Sequence, residues 1–172
     1  MTSGSVVMPP IKKPEQLQPL VAKALAGIEF ESASAFDELI VTVAPATIVE
    51  VCLKLRSDDD LHLDYLRCLS GVDVEDGIEI VYHLYSVCRR HKLVVKTKVS
   101  REVASLASVT GVWKGADWHE REAAEMFGIV FEGHPDLKTL LLEEGFKGHP
   151  LLKSFKLDAI PEDVEKAHGK NS

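Results

Sequence analysis

The residues of this 172-residue chain best suited to chemistry lie close together, at Trp118-His-Glu-Arg-Glu-Ala-Ala-Glu125. Glu120, Glu122 and Glu125 could exchange protons. Arg121 and Glu125 are four apart, so on a helix they share a face. No electrophile or metal-ligand set accompanies them, and the chain has no GxSxG, no P-loop, no GxGxxG after a strand and no HExxH. Catalysis by this chain alone is therefore not expected. Trp118, Met126 and Phe127 flank the charges, which implies that one face of the helix is packed. Charges on a packed helix need partners, either inside the protein or across an interface.

A short echo follows. Phe131-Glu-Gly-His134-Pro135-Asp-Leu-Lys138 returns, 15 residues on, as Phe146-Lys-Gly148-His149-Pro150-Leu-Leu-Lys153. Two copies are too few for a solenoid. Two histidines without nearby Cys or paired carboxylates are too few for a closed zinc site. The expectation is that His134 and His149 each bond a nearby backbone or carboxylate group and hold a turn. Between the turns, Leu137 to Glu144 reads as a short helix capped by Asp136 and stopped by Gly145.

Composition narrows the function classes. Lys plus Arg is 20 and Asp plus Glu is 27, giving −7. That balance disfavours nucleic acid and anionic lipid as direct partners. No run approaches the roughly 20 apolar residues of a membrane span. The proline-bearing N-terminus does not read as a signal peptide, so a reducing, cytoplasmic setting is expected. Cys52, Cys68 and Cys88 lie 16 and 20 residues apart with no CxxC. They read as buried or half-buried free thiols, not as a zinc or iron–sulfur site of this chain.

The elements that must position these residues read as follows. Residues 1–14 form a flexible arm. Glu15 to Ala26 is a helix with Leu17, Leu20, Val21, Ala24 and Leu25 inward and Pro19 in its first turn. Leu39 to Val43 is a strand, and Pro45 opens a helix from Ala46 to Arg56 with Ile48, Val51, Cys52 and Leu55 inward. Asp58, Asp59 and Asp60 form a solvated loop. Tyr65 to Ser70 reads as a short helix or turn. Ile78 to Val87 and Leu93 to Val99 form a long antiparallel hairpin, with Leu93, Val95, Thr97 and Val99 on the buried face and Lys96 and Lys98 on the wet one. His83 reads as a sheet residue. Asp117 and Glu120 form a capping-box pattern for a helix from Trp118 to Phe127, stopped at Gly128. The fold class is α+β: an antiparallel sheet with a long hairpin covered by helices in residues 15–114, then a helical and irregular C-terminal extension in 115–157, and a polar tail over 158–172.

The ordered run ERExxEMF, then His134, then Lys138-Thr-Leu-Leu141 resembles the signature of the thirty-kilodalton (C-type) subunit family of NADH:quinone oxidoreductase, respiratory complex I. Leu69-Ser-Gly-Val-Asp73, Glu79 to Ser86, Ser108 to Trp113 and Gly128 to Leu137 agree, so the resemblance covers about residues 60–157. It implies a peripheral subunit that binds no cofactor, with FMN and iron–sulfur clusters in partner chains. It implies packing against the quinone-pocket subunit, the forty-nine-kilodalton (D-type) one. Attachment to the cytoplasmic face of the cell membrane, or the equivalent matrix side, would be only through other subunits. The implied interface and signature set is Glu120, Arg121, Glu122, Glu125, Met126, Phe127, His134, Pro135, Lys138, Gly148, His149, Pro150 and Lys153. The sequence departs from the family after the second GHP, where Leu152 and Ser154 replace the expected Arg and Asp while Lys153 and Phe155 are kept. Related subunits serve energy-converting hydrogenases and coenzyme F420-dependent dehydrogenases, so the electron donor stays open. A stand-alone binding protein is the third reading.

Overall fold

The computed structural model describes residues 10–156. The expected polar tail over 158–172 lies outside the described residues, as does most of the N-terminal arm. Helix α1 (Pro14–Ala24) is followed by β1 (Phe30–Ala35), β2 (Glu38–Val43), a 3-10 turn (Pro45–Thr47) and α2 (Ile48–Ser57). Then come β3 (Tyr65–Val74), β4 (Gly77–Tyr85), β5 (Lys92–Val99), β6 (Ser105–Ala107), α3 (Ala116–Phe127) and β7 (Val130–Glu132). The fold is α+β. Strands β1-β2-β5-β4-β3 form one sheet in that spatial order, antiparallel except where β2 runs parallel to β5. β6 and β7 make a separate parallel pair.

The hairpin is where the alternation placed it. Ile78 sits opposite Val99 and Leu84 opposite Leu93. Leu93, Val95, Thr97 and Val99 are buried, and Lys98 is exposed. The far face is drier than expected. Val81 and Val94 are buried there, beside a Lys96–Glu79 ion pair of 2.8 Å that lies across the sheet. Helix α2 buries Ile48, Val51, Cys52 and Leu55. At ten residues it is too short to persist alone. Burying four such side chains, at about 1.5–3 kcal/mol for each large aliphatic one, is what holds it.

Five expectations are corrected. Tyr65 to Ser70 is not a helix or turn but the start of β3, whose alternation is broken by a bulge between Leu66 and Cys68. β1, FESASA, has no counterpart in the sequence reading: it is a polar edge strand with mostly exposed residues. Pro19 lies inside α1, because the helix begins at Pro14 and puts that proline, not Pro19, in the first turn. Leu137 to Glu144 has no helix; its backbone amides are used elsewhere, as described below. Cys88 is exposed, whereas Cys52 is buried and Cys68 intermediate; all three are free.

Candidate functional site

Helix α3 is attached to the sheet by a close approach. A Cβ built on Gly71 of β3 would lie 2.6 Å from the Phe127 ring, so only glycine lets this helix seat at this depth. The helix ends at Gly128 in the left-handed conformation (φ 73°), as its position predicted. That residue is constrained twice, because a Cβ there would also lie 2.7 Å from the His149 ring.

The capping box does not form. Glu120 turns inward and is fully buried. It accepts the Ser108 hydroxyl at 2.7 Å and the Val109 N–H at 2.7 Å, tying α3 to the loop after β6. Burial pushes its carboxyl up, against the pull of these two donors. Asp117 instead meets His134. The Asp136 N–H donates to His134 Nδ1 at 3.0 Å, so Nε2 carries the proton and donates to the Asp117 carbonyl at 3.2 Å.

Arg121 and Glu125 act as a pair on one face, and both hold the chain's own backbone. Arg121 donates to the carbonyls of Lys138 and Thr139 at 3.0 and 2.9 Å, with its guanidinium 5.3 Å from the Trp118 ring centre. The Glu125 carboxylate accepts the amides of Leu140, Leu141 and Leu142 at 3.1, 2.9 and 3.0 Å. Those amides therefore cannot serve a helix, which explains the missing 137–144 helix. Burial works against the Glu125 charge, but the three amides and Arg121 outweigh it and hold the carboxyl below the usual range.

The second turn is fixed in the same way. His149 Nδ1 donates to the Glu125 carbonyl at 2.8 Å, and the Leu151 N–H donates to the Met126 carbonyl at 3.2 Å. Gly148 lies against Phe155, whose ring stacks on Phe146 with centroids 6.0 Å apart. The Lys153 N–H donates to Asp73 in β3 at 2.7 Å, and Asp73 also pairs with Arg101. Met126 and Phe127 are buried, Pro150 is half-buried, and Glu122 and Pro135 are exposed. Lys138 is exposed and pairs with Asp136 at 3.1 Å. The predicted residues are thus gathered into one region, except that Glu120 faces the core. Four contributors lie outside the predicted set: Gly71, Asp73, Arg101 and Ser108. Gly71, Asp73 and Ser108 fall in the stretches 69–73 and 108–113 that carry the family resemblance, but each of the four acts through a partner far along the chain, so spacing did not show its role.

The segment from Leu137 to Leu151 is pinned but irregular. Leu137, Leu141, Phe146 and Leu151 are 38%, 63%, 37% and 54% exposed. Beside them lies an open hollow of about 470 Å³ between α3 and this segment. Among the described residues, no three His, Cys, Asp or Glu side chains are grouped to hold a metal ion, and no helix is long and apolar enough to cross a membrane.

Solved structures place this architecture in a class. It is similar to a trypsin-resistant fragment (residues 1–134) of Nqo5, with a TM-score of 0.56, 26% identity, and coverage of 70% of this chain and 98% of that one. It also shares its fold with a chain in the membrane-bound sulfane sulfur reductase, an archaeal respiratory membrane complex (TM-score 0.72, 20% identity, 92% of each chain covered). The fold is therefore one found in a respiratory membrane assembly. More specifically, the chain belongs to the family described as respiratory-chain NADH dehydrogenase, 30 Kd subunit, whose profile matches residues 41–161. The match begins earlier than the motifs alone suggested. The NADH-quinone oxidoreductase C subunit of Roseiflexus sp. (strain RS-1) is 41% identical over 148 residues, 84% of this chain and 83% of the relative. The corresponding C subunit of Methylobacterium sp. (strain 4-46) is 37% identical over 172 residues, 94% of this chain and 79% of the relative.

Proposed function

We propose that this chain is a non-catalytic structural subunit of the peripheral arm of an NADH-quinone oxidoreductase. In this reading it scaffolds the quinone-reducing module, packs against the quinone-pocket subunit, and is held at the cytoplasmic face of the membrane by its partners. FMN and iron–sulfur clusters in other chains carry electrons from NADH, coupled to proton translocation. The observation that supports it most is the use made of the family signature. Arg121, Glu125 and His149 hold an irregular segment in place, and that segment presents Leu137, Leu141, Phe146 and Leu151 outward. A pinned apolar surface with no regular structure of its own suits docking on a partner.

The test is Arg121→Ala, examined by native gel of membranes alongside electron transfer per assembled complex. Less assembled complex is expected, with near-normal turnover in what does assemble. Full assembly with abolished electron transfer would overturn the reading. Mass spectrometry of the co-purifying chains adds a second check. Flavin-bearing NADH-oxidising chains agree with the proposal, whereas a nickel–iron subunit would assign the chain to a hydrogenase-type complex.

A further inference from the structure

A second hollow, of about 480 Å³, opens on a different part of the molecule, between the start of β3 and the loop 110–115. Arg56, Asp64, Tyr65, Val112, Trp113 and Lys114 line it. Arg56 is exposed and gives one guanidinium N–H to the Val112 carbonyl, which fixes its head at the hollow with donors to spare. Lys114 is exposed, and its side chain makes no hydrogen bond or ion pair among the described residues. Elsewhere Lys23, Lys54, Lys92, Lys96, Lys98, Arg101 and Lys138 each hold a carboxylate. Acids outnumber bases in this chain by 27 to 20. Even so, Arg56 and Lys114 line one hollow, and neither side chain holds a carboxylate among the described residues. Asp64 also lines it, and one of its oxygens already accepts the Val87 N–H at 3.0 Å.

From this we infer that the hollow receives an Asp or Glu side chain of a neighbouring protein chain. The inference rests on the reading that this chain works within an assembly, and it names a contact separate from the α3 segment. A carboxylate that reaches both Arg56 and Lys114 takes a charge-assisted bond from each. Tyr65 is 54% exposed, and Trp113 is fixed below by its N–H bond to the Leu63 carbonyl at 3.1 Å. Aromatic walls around an arginine are the composition of a protein–protein contact centre. A free inorganic anion would gain nothing from them.

The test is zero-length carbodiimide cross-linking of the complex in native membranes, which joins an amine to a carboxylate in contact with it. The expected product links Lys114 to an Asp or Glu peptide of another chain, and Lys114→Arg, which keeps the charge, abolishes it. Lys114→Glu should lower incorporation into the complex about tenfold, the effect of losing a modest charge pair. The thermal midpoint of the purified chain should not move, because the Lys114 side chain has no partner among the described residues. Several results would overturn the assignment: a link from Lys114 to Asp64 alone, equal acetylation of Lys114 in the complex and in the isolated chain, or protection of the isolated chain by inorganic phosphate. A chain that migrates alone on a native gel overturns both this assignment and the subunit reading, whereas co-migration with Lys114 equally reactive overturns this assignment only.

Discussion

The Asp73 carboxylate accepts the backbone N–H of Lys153 at 2.7 Å, a contact between residues 80 apart in the chain. Its other oxygen takes the Arg101 guanidinium, and that same guanidinium reaches the carbonyls of Val74 and Glu75. One carboxylate thus joins the β3–β4 turn, the end of β5 and the C-terminal segment. The Arg101 bond first, and the Lys153 amide second, hold it below the usual carboxylate range. Asp73→Ala should therefore free residues 151–156 and leave Arg101 without its acid. Limited proteolysis should show faster cleavage near Lys153. Unchanged cleavage would mean that this bond does not hold the segment.

The grip of Glu125 should depend on pH. A carboxyl lowered in the folded state adds stability above its unfolded pKa and loses it as pH falls through the folded value. Protection of the Leu140, Leu141 and Leu142 amides in hydrogen exchange should therefore fall as the solution is taken below the ordinary glutamate range. Protection of Val94 and Val95 in the sheet should hold. In Glu125→Gln the step at Leu140–Leu142 should be absent; a step of the same size there would assign the titration to another group.

Gly71→Ala should destabilise the chain by about 1–3 kcal/mol, the usual cost of forcing extra volume into a packed site. The new methyl would strike Phe127 and lift α3 from β3. Urea titration measures this, and Phe127→Leu in the same chain should recover part of the loss. A double variant no better than the single would place the strain elsewhere.

Tyr82 is fully buried, and its hydroxyl has no hydrogen-bond partner among the described residues. Burying an unpaired hydroxyl costs about 1–3 kcal/mol. Tyr82→Phe keeps the ring and removes that penalty, so the thermal midpoint should stay level or rise. A loss above about 1 kcal/mol would show that the hydroxyl is bonded in solution.

Much of the sheet could be read from the sequence, because Ile78, Ile80, Tyr82 and Leu84 in β4 and Leu93, Val95, Thr97 and Val99 in β5 recur at every second position, and Ile48, Val51, Cys52 and Leu55 recur at helical spacing. β3 was hidden by its bulge, since one extra residue after Leu66 shifts the inward positions to Leu69, Gly71 and Asp73. β1 was hidden by composition, as Ser and Ala at an edge leave no apolar pattern. The region around α3 was legible in membership but not in orientation. Asp117 and Glu120 have the spacing of a capping box, yet each finds a better partner far away in sequence, at His134 and at Ser108 with Val109. Likewise, Asp136 as a cap and Gly145 as a stop suggested a helix between them, while the Glu125 carboxylate, upstream in the chain, had already claimed the amides of Leu140, Leu141 and Leu142.

The parallel pairing of β2 with β5 sets an order on synthesis. Leu39 faces Leu93, and 93 − 39 = 54 residues must be added after the first before the second exists. At about 5–20 residues per second, β2 emerges roughly 3–11 s before its partner. During that interval β1 can pair with one edge of β2, while the other edge, the backbone of Leu39 to Thr42, stands open on the ribosome. The hairpin of β4 and β5 is completed later as a local event and closes that edge, so the first half of the nascent chain depends on the second to shield it.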